Sequence, residues 1–201
     1  YKKYVDGQIL EYQLSGKEKK GKGPIICALD SSGSMNGASE LWSKAVALAL
    51  LEITKTQKRD FAAIHFAGHS NPMSLKVHEF KRTDAFSAEK LIDMAQYFES
   101  GGTQFEAPLE RARIIMDQED DWHKASIIFV TDGESVVGDK FLEKFLQWRD
   151  KHKVKIISIV IDTYANSTSS VKEFSHEVYR LSELRSDNGS ELAMTIFRDV
   201  L

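Results

Sequence analysis

Cysteine is almost missing: Cys27 stands alone among 201 residues, so no intrachain disulfide can close. A reduced, cytoplasmic setting is the expectation. Long apolar runs are missing too, because stretches such as Ala45 to Leu51 and Ile156 to Ile161 fall far short of a bilayer span. No excess of positive charge exists to hold a polyanion, since 27 Lys and Arg face 30 Asp and Glu for a net charge of −3. Nucleic acid is thereby disfavoured as a partner. No charged-then-apolar leader follows Tyr1, which reads as a domain cut from something longer rather than a secretory precursor. What is present is ample core material, 42% apolar and 28% charged residues in 22.7 kDa. That describes one soluble globular domain and excludes fibrous and wholly disordered classes.

Residues Lys3 to Leu14 alternate weakly around Asp6-Gly7, a turn dipeptide, and run into the solvated stretch Ser15 to Gly23, so residues 1–23 read as a small hairpin and linker. From Pro24 onward apolar runs alternate with helical spacing. Ile25 to Leu29, Phe61 to Phe66, Lys76 to Phe80, Ser126 to Val130, Ile156 to Ile161 and Val178 to Leu181 read as strands. Helices are expected over Ser39 to Thr56, with Leu41, Ala45, Leu48 and Ile53 on one face, and over Ser87 to Phe98, Phe105 to Met116, Asp139 to Lys153 and Ser190 to Leu201. Strands apolar on both faces belong in a parallel sheet covered on each side. The expected fold is α/β: a doubly wound, mostly parallel central sheet flanked by helices, with the small N-terminal β-hairpin before it.

The first buried strand is followed by Asp30-Ser31-Ser32-Gly33-Ser34-Met35, where a carboxylate and two hydroxyls recur at every second position and can converge on one point. In an open α/β sheet, ligand groups gather at the carboxyl edge where crossovers diverge. Asp132, in Val130-Thr131-Asp132-Gly133, holds the same place after the other strongly apolar strand, and Gly101-Gly102-Thr103 is expected to open a helix at that edge. Five oxygens, two ionised and three neutral, suit a hard divalent cation, Mg²⁺ or Mn²⁺, whereas zinc would favour His or Cys. A sixth ligand would come from outside the chain. Taken singly, Asp30 and Ser32 could cap a helix and Asp132-Gly133 could be an ordinary turn; the three motifs together, in this order, favour a site.

This pattern resembles the von Willebrand factor A domain and its metal-ion-dependent adhesion site, over roughly Pro24 to Leu201 (residues 24–201). Position by position, Asp30, Ser32 and Ser34 match the first loop, Thr103 the second and Asp132 the third. The resemblance implies a Rossmann-like fold and a non-enzymatic protein-binding module. In it the serines and sometimes the threonine bind the cation directly, the aspartates often through water, and an Asp or Glu of the partner completes the shell. The wording is also similar to intracellular bacterial ViaA-like and CoxE-like proteins, which implies a MoxR-type AAA+ ATPase as partner; a metal-chelatase-like complex is the alternative. In adhesive members the closing helix slides when the metal site changes; here a static helix is the expectation.

Glu134 and Glu106 flank the motifs, as surface carboxylates or as modulators of cation affinity. Other motifs fail on chemistry. Gly16 to Lys22 has phosphate-loop spacing, but Gly23 replaces the required hydroxyl and a strand follows instead of preceding. Ser32 stands where a phosphotransferase would carry its second carboxylate, and no base is assigned for a Mg²⁺-dependent hydrolase. His65 and His69 straddle a strand end, which argues against zinc; Cys27 reads as core; Phe141, Phe145 and Trp148 read first as packing and second as a partner groove.

Overall fold

The apolar runs become strands because residues such as Ile, Val and Phe fill a pleated surface that helices cover from both sides. The computed structural model describes residues 23–85, 87–118, 122, 125–161 and 169–181. The expected hairpin over residues 3–14 and closing helix over residues 190–201 lie outside them. Six strands, β1 (Ile25–Asp30), β2 (Phe61–Phe66), β3 (Lys76–Phe80), β4 (Ser126–Thr131), β5 (Lys155–Ile161) and β6 (Glu177–Leu181), form one sheet in the order β3-β2-β1-β4-β5-β6. All neighbours run parallel except β2 and β3. The mostly parallel, doubly wound architecture expected from the alternation is therefore present. β1 and β2 are buried along their whole length, whereas antiparallel β3 at the sheet edge buries only His78.

Each face of the sheet has its own core. On one face Ile26, Ile64, Ile127 and Phe129 meet Leu109, Ala112 and Ile115 of α3 (Glu106–Gln118) and Phe145 of α4 (Asp139–Lys151). On the other, Cys27, Leu29, Ile128 and Ile159 meet Val46, Ala47 and Leu50 of α1 (Ala38–Thr56) and Met94 of α2 (Ala88–Gln96). Successive strand residues alternate between these two cores, as the strand period of two requires. Cys27 is completely buried and its thiol is pushed up by that burial, so it is a core residue.

One helix face differs from expectation. Leu41 is 70% exposed and Ala45 is exposed, while α1 buries Ser39, Ser43, Val46, Ala47, Leu50, Leu51 and Thr54. Counting only large apolar residues missed this stripe, because small hydroxyl residues join it after bonding to their own helix. Ser43 Oγ donates to the Glu40 carbonyl at 2.8 Å and Thr54 Oγ1 to that of Leu51 at 2.8 Å. Phe141 and Trp148 are half-buried against the core, as the packing reading expected, and line a cleft of about 600 Å³ between α3 and α4.

Candidate functional site

The strand order places the switch point between β1 and β4, from which crossovers leave in opposite directions, and ligands of open α/β sheets bind outside the carboxyl ends there. Asp30 closes β1. In the register Leu29 pairs with Val130, so Asp30 and Thr131 are side by side and Asp132 follows immediately. Thr131 Oγ1 donates to Asp30 Oδ2, and the Ser32 backbone N–H donates to Asp30 Oδ1 at 2.8 Å. Ser34 Oγ donates to Asp132 Oδ1 at 2.8 Å, and the Ser32 and Ser34 hydroxyl oxygens stand 3.2 Å apart. Thr103 reaches the same place: its Oγ1 lies 3.3 Å from where a Cβ on Gly133 would sit. The structure thus brings together Asp30, Ser32, Ser34, Thr103 and Asp132 from three loops.

Backbone ties hold these loops in register. Ser31 N–H donates to the Phe66 carbonyl at 2.7 Å, Ser100 N–H to that of Ser31 at 2.9 Å, and Gly33 N–H to that of Gly101 at 3.0 Å. Gly101 has φ +125°, which L side chains rarely adopt, and a Cβ on Gly68 would come within 3.2 Å of Gly102 N. Glycine at these positions lets the second loop lie close to the first loop at Gly101 and to the loop after β2 at Gly102. The helix expected to open at Gly-Gly-Thr instead begins at Glu106, with Gln104 Oε1 accepting from Ala107 N–H at 2.7 Å. Thr103 is therefore a loop residue, its hydroxyl uncommitted to capping.

The capping alternative is also unrealised in the first loop. The residue before α1 is Gly37, which has no side chain to cap with, and Ser32 makes no side-chain cap bond to the 3₁₀ turn Gly33–Met35. Asp132 Oδ2 is buried and unpartnered. Both carboxylates are held above the ordinary range. Asp30 is pushed up to about 6, mainly by burial, with the charge of Asp132 adding to it and bonds from Thr131 and Ser32 opposing. Asp132 is raised by burial against its bond from Ser34. Two buried carboxylates with hydroxyls beside them and an oxygen lacking a donor form a donor set that fits a hard divalent cation, which would supply the missing positive charge.

Thr131 is the functional residue that sequence reasoning passed over. The available signal was a hydroxyl immediately before the second aspartate, on the strand adjoining the first. Because it orients Asp30, Thr131→Val is expected to lower cation affinity about tenfold without unfolding the chain, measured by Mn²⁺ titration with calorimetry. Glu106 Oε1 accepts from Gly138 N–H at 2.7 Å and so ties the loop ahead of α4 to α3. Glu134 is exposed in the third loop, beside a recess lined by Val136, Val137, Ser170 and Glu173. The histidines do not meet: His65 packs against His78 and Tyr97, while His69 pairs with Glu99.

Residues 25–134, more than half of the chain, match the family model described as the von Willebrand factor type A domain. The chain belongs to that family. VWA domains are commonly protein-interaction modules, and the matched segment carries all three loops of the site. Two uncharacterized proteins of Methanocaldococcus jannaschii are similar to it, one 33% identical over 97% of this chain and 43% of its own length. The other is 31% identical over 95% and 46%. The chain spans under half the length of these relatives. Among solved structures, the SpRpn10 VWA domain superimposes with a TM-score of 0.59 at 16% identity, covering 82% of this chain and 92% of that one. An aerotolerance-related membrane protein of Bacteroides fragilis gives 0.59 at 15% identity, covering 89% and 98%. The open conformation of the pilus adhesin SpaC of Lactobacillus rhamnosus gives 0.61 at 12% identity, covering 89% and 30%. These likenesses bear on the fold. No helix among the described residues is long and apolar enough to cross a membrane.

Proposed function

We propose that this VWA domain is a metal-dependent protein-binding module in which Asp30, Ser32, Ser34, Thr103 and Asp132 hold Mg²⁺ or Mn²⁺ and an acidic side chain of a partner protein completes the shell. The observation that carries the reading is the buried, unpartnered Asp132 Oδ2 beside a second buried carboxylate and hydroxyls that cap nothing. The cation supplies Lewis acidity toward an incoming carboxylate; the chain supplies the oriented oxygens. Exposed apolar side chains around the same edge favour a protein as the ligand. Leu41 in the first turn of α1, Met73 after β2 and Val136 after β4 are 70%, 60% and 90% exposed, and all three belong to loops or helix starts at the carboxyl edge. Such rims exclude water around a central polar anchor.

The partner class implied by the sequence resemblance is a MoxR-type AAA+ ATPase. The test is capture of a purified MoxR-type ATPase by the immobilised full chain, with Mg²⁺ and with chelator. Retention in Mg²⁺, loss on chelation, and a weakening of about tenfold in Val136→Asp are expected. Equal retention in chelator would remove the cation from the mechanism, and no retention in either would remove this partner class.

A further inference from the structure

His65, on β2, is a buried titratable group that the cation site does not use. Its ring is 1% exposed and neither nitrogen has a hydrogen-bond partner. His78 of β3 and Tyr97 enclose it edge-on, with ring centroids at 5.2 Å and 5.0 Å, and β1 places Leu29 beside it in the register. The charged groups facing it are His78 and Lys76 from β3, Asp93 from α2 and Lys44 from α1. Asp93 is already engaged: it accepts from Lys76 Nζ at 2.8 Å and lies 3.0 Å from His78 Nε2. Lys44 pairs with Glu40. A proton arriving on His65 therefore finds no acceptor. Burial, with the charges of His78 and Lys44 adding to it, holds the ring from 6.5 down to about 3.

Tyr97 is the movable wall of this enclosure. It is half-buried at the end of α2, whereas His78 is fixed within the sheet. The segment 97–103 runs from this wall directly to Thr103. It turns on two positive φ angles, +65° at Ser100 and +125° at Gly101. Two backbone bonds pin it to the first site loop, Ser100 N–H to the Ser31 carbonyl at 2.9 Å and Gly33 N–H to that of Gly101 at 3.0 Å. Its side-chain holds are partial: Phe98 is half-buried with Lys44 Nζ 5.9 Å from its ring, and Glu99 pairs with His69, which is 60% exposed. Acid strengthens the His69 pair, but only at the surface, where such a pair is worth far less than the desolvation of a buried imidazolium. Lifting one short segment also exposes much less apolar surface than unfolding the sheet.

We infer that His65 and Tyr97 form an acid-sensitive latch, in which protonation of His65 lifts Tyr97, frees the segment 97–103 from the first site loop and withdraws Thr103 from Asp30 and Asp132. The effect on the cation rests on the function proposed above, and the opening does not. Once the segment lifts, His65 meets water and titrates near its ordinary 6.5. From pH 7.5 to 5.0 the opened population then grows about thirtyfold relative to the closed one.

The test is amide hydrogen exchange of the full chain by NMR, in EDTA at pH 7.5 and 5.0, with the intrinsic exchange rate at each pH divided out. Protection of the Ser100 and Gly33 amides should fall about thirtyfold in wild type and about threefold or less in His65→Phe. Their exchange should not respond to low urea, because the opening exposes little surface, whereas Ile127 and Ile157 in the sheet follow urea with the slope of global unfolding. Tyr97→Ala is an independent check. With its ring gone, His65 is wet in both states, so the two amides should be poorly protected at pH 7.5 already and insensitive to acid. An equal fall in wild type and His65→Phe, full protection in Tyr97→Ala, or the urea slope of the sheet amides at Ser100 would each overturn the latch. Calorimetric Mn²⁺ titration at both pH values reads the consequence. Asp30 titrates in both proteins, so wild type should lose about threefold more affinity than His65→Phe, and equal losses would overturn the link to Thr103. Absence of Mn²⁺ binding in either protein would refute the cation site and not the latch, which the exchange in EDTA decides by itself.

Discussion

Asp132→Asn should leave the metal-free domain at least as stable as wild type while abolishing stabilisation by Mg²⁺ or Mn²⁺. The substitution keeps an oxygen for the Ser34 hydroxyl and removes one of two negative charges that burial holds above their ordinary range. In wild type, a cation at about a hundred times its dissociation constant adds about 2.7 kcal/mol. For a domain of this size that corresponds to a rise of about 5–10 °C in melting temperature. Thermal unfolding of both proteins in EDTA and in saturating MgCl₂ or MnCl₂ measures the difference. A wild type that melts at one temperature in both conditions would refute the cation site, because a purely structural carboxylate pair has nothing to gain from the metal.

His65→Phe should make the domain markedly more resistant to acid. The His65 ring is 1% exposed, has no hydrogen-bond partner on either nitrogen, and packs edge-on with centroids 5.2 Å from His78 and 5.0 Å from Tyr97. Burial, then the neighbouring His78 and Lys44, lower it from 6.5 to about 3. Between those values the unfolded chain binds a proton that the folded one refuses. Stability therefore holds above pH 6.5 and is lost as pH falls toward 3, by up to about 5 kcal/mol at 1.4 kcal/mol per pH unit. Asp30 acts with the opposite sign. Its folded value of about 6 lies above the ordinary 3.8, so in metal-free protein its contribution is full below pH 3.8 and is lost as pH rises through 6, by about 3 kcal/mol. The histidine effect is larger, so wild type should still destabilise on acidification. In His65→Phe, whose ring fills the same space without a titrating group, the loss of metal-free stability between pH 7 and 4.5 should be smaller than in wild type by about 3 kcal/mol, with His78 and His176, also lowered by burial, still opposing the gain from Asp30. Urea unfolding followed by circular dichroism at the two pH values decides this, and parallel losses in both proteins would show that His65 is not the group whose protonation destabilises the fold.

Sequence alone determined the elements and the chemistry available. Runs apolar on both faces announced β1, β2, β4 and β5, because a strand buried from two sides cannot alternate. The spacing of Asp30, Ser32 and Ser34, with Thr103 and Asp132 at two further loops, named oxygens able to share one point. Tertiary structure decided what that spacing could not. The antiparallel turn of β3 against β2 and the strand order that puts β1 beside β4 arise from long-range pairing, which no local period encodes. The buried stripe of α1 runs through Ser39, Ser43 and Thr54 because close helix–sheet approach rewards small side chains whose hydroxyls the helix itself satisfies. Thr131 became visible as the residue orienting Asp30 only once the register set their strands side by side. The unpartnered oxygen of Asp132 is likewise a property of the fold, since whether a carboxylate has a donor depends on which loops close around it.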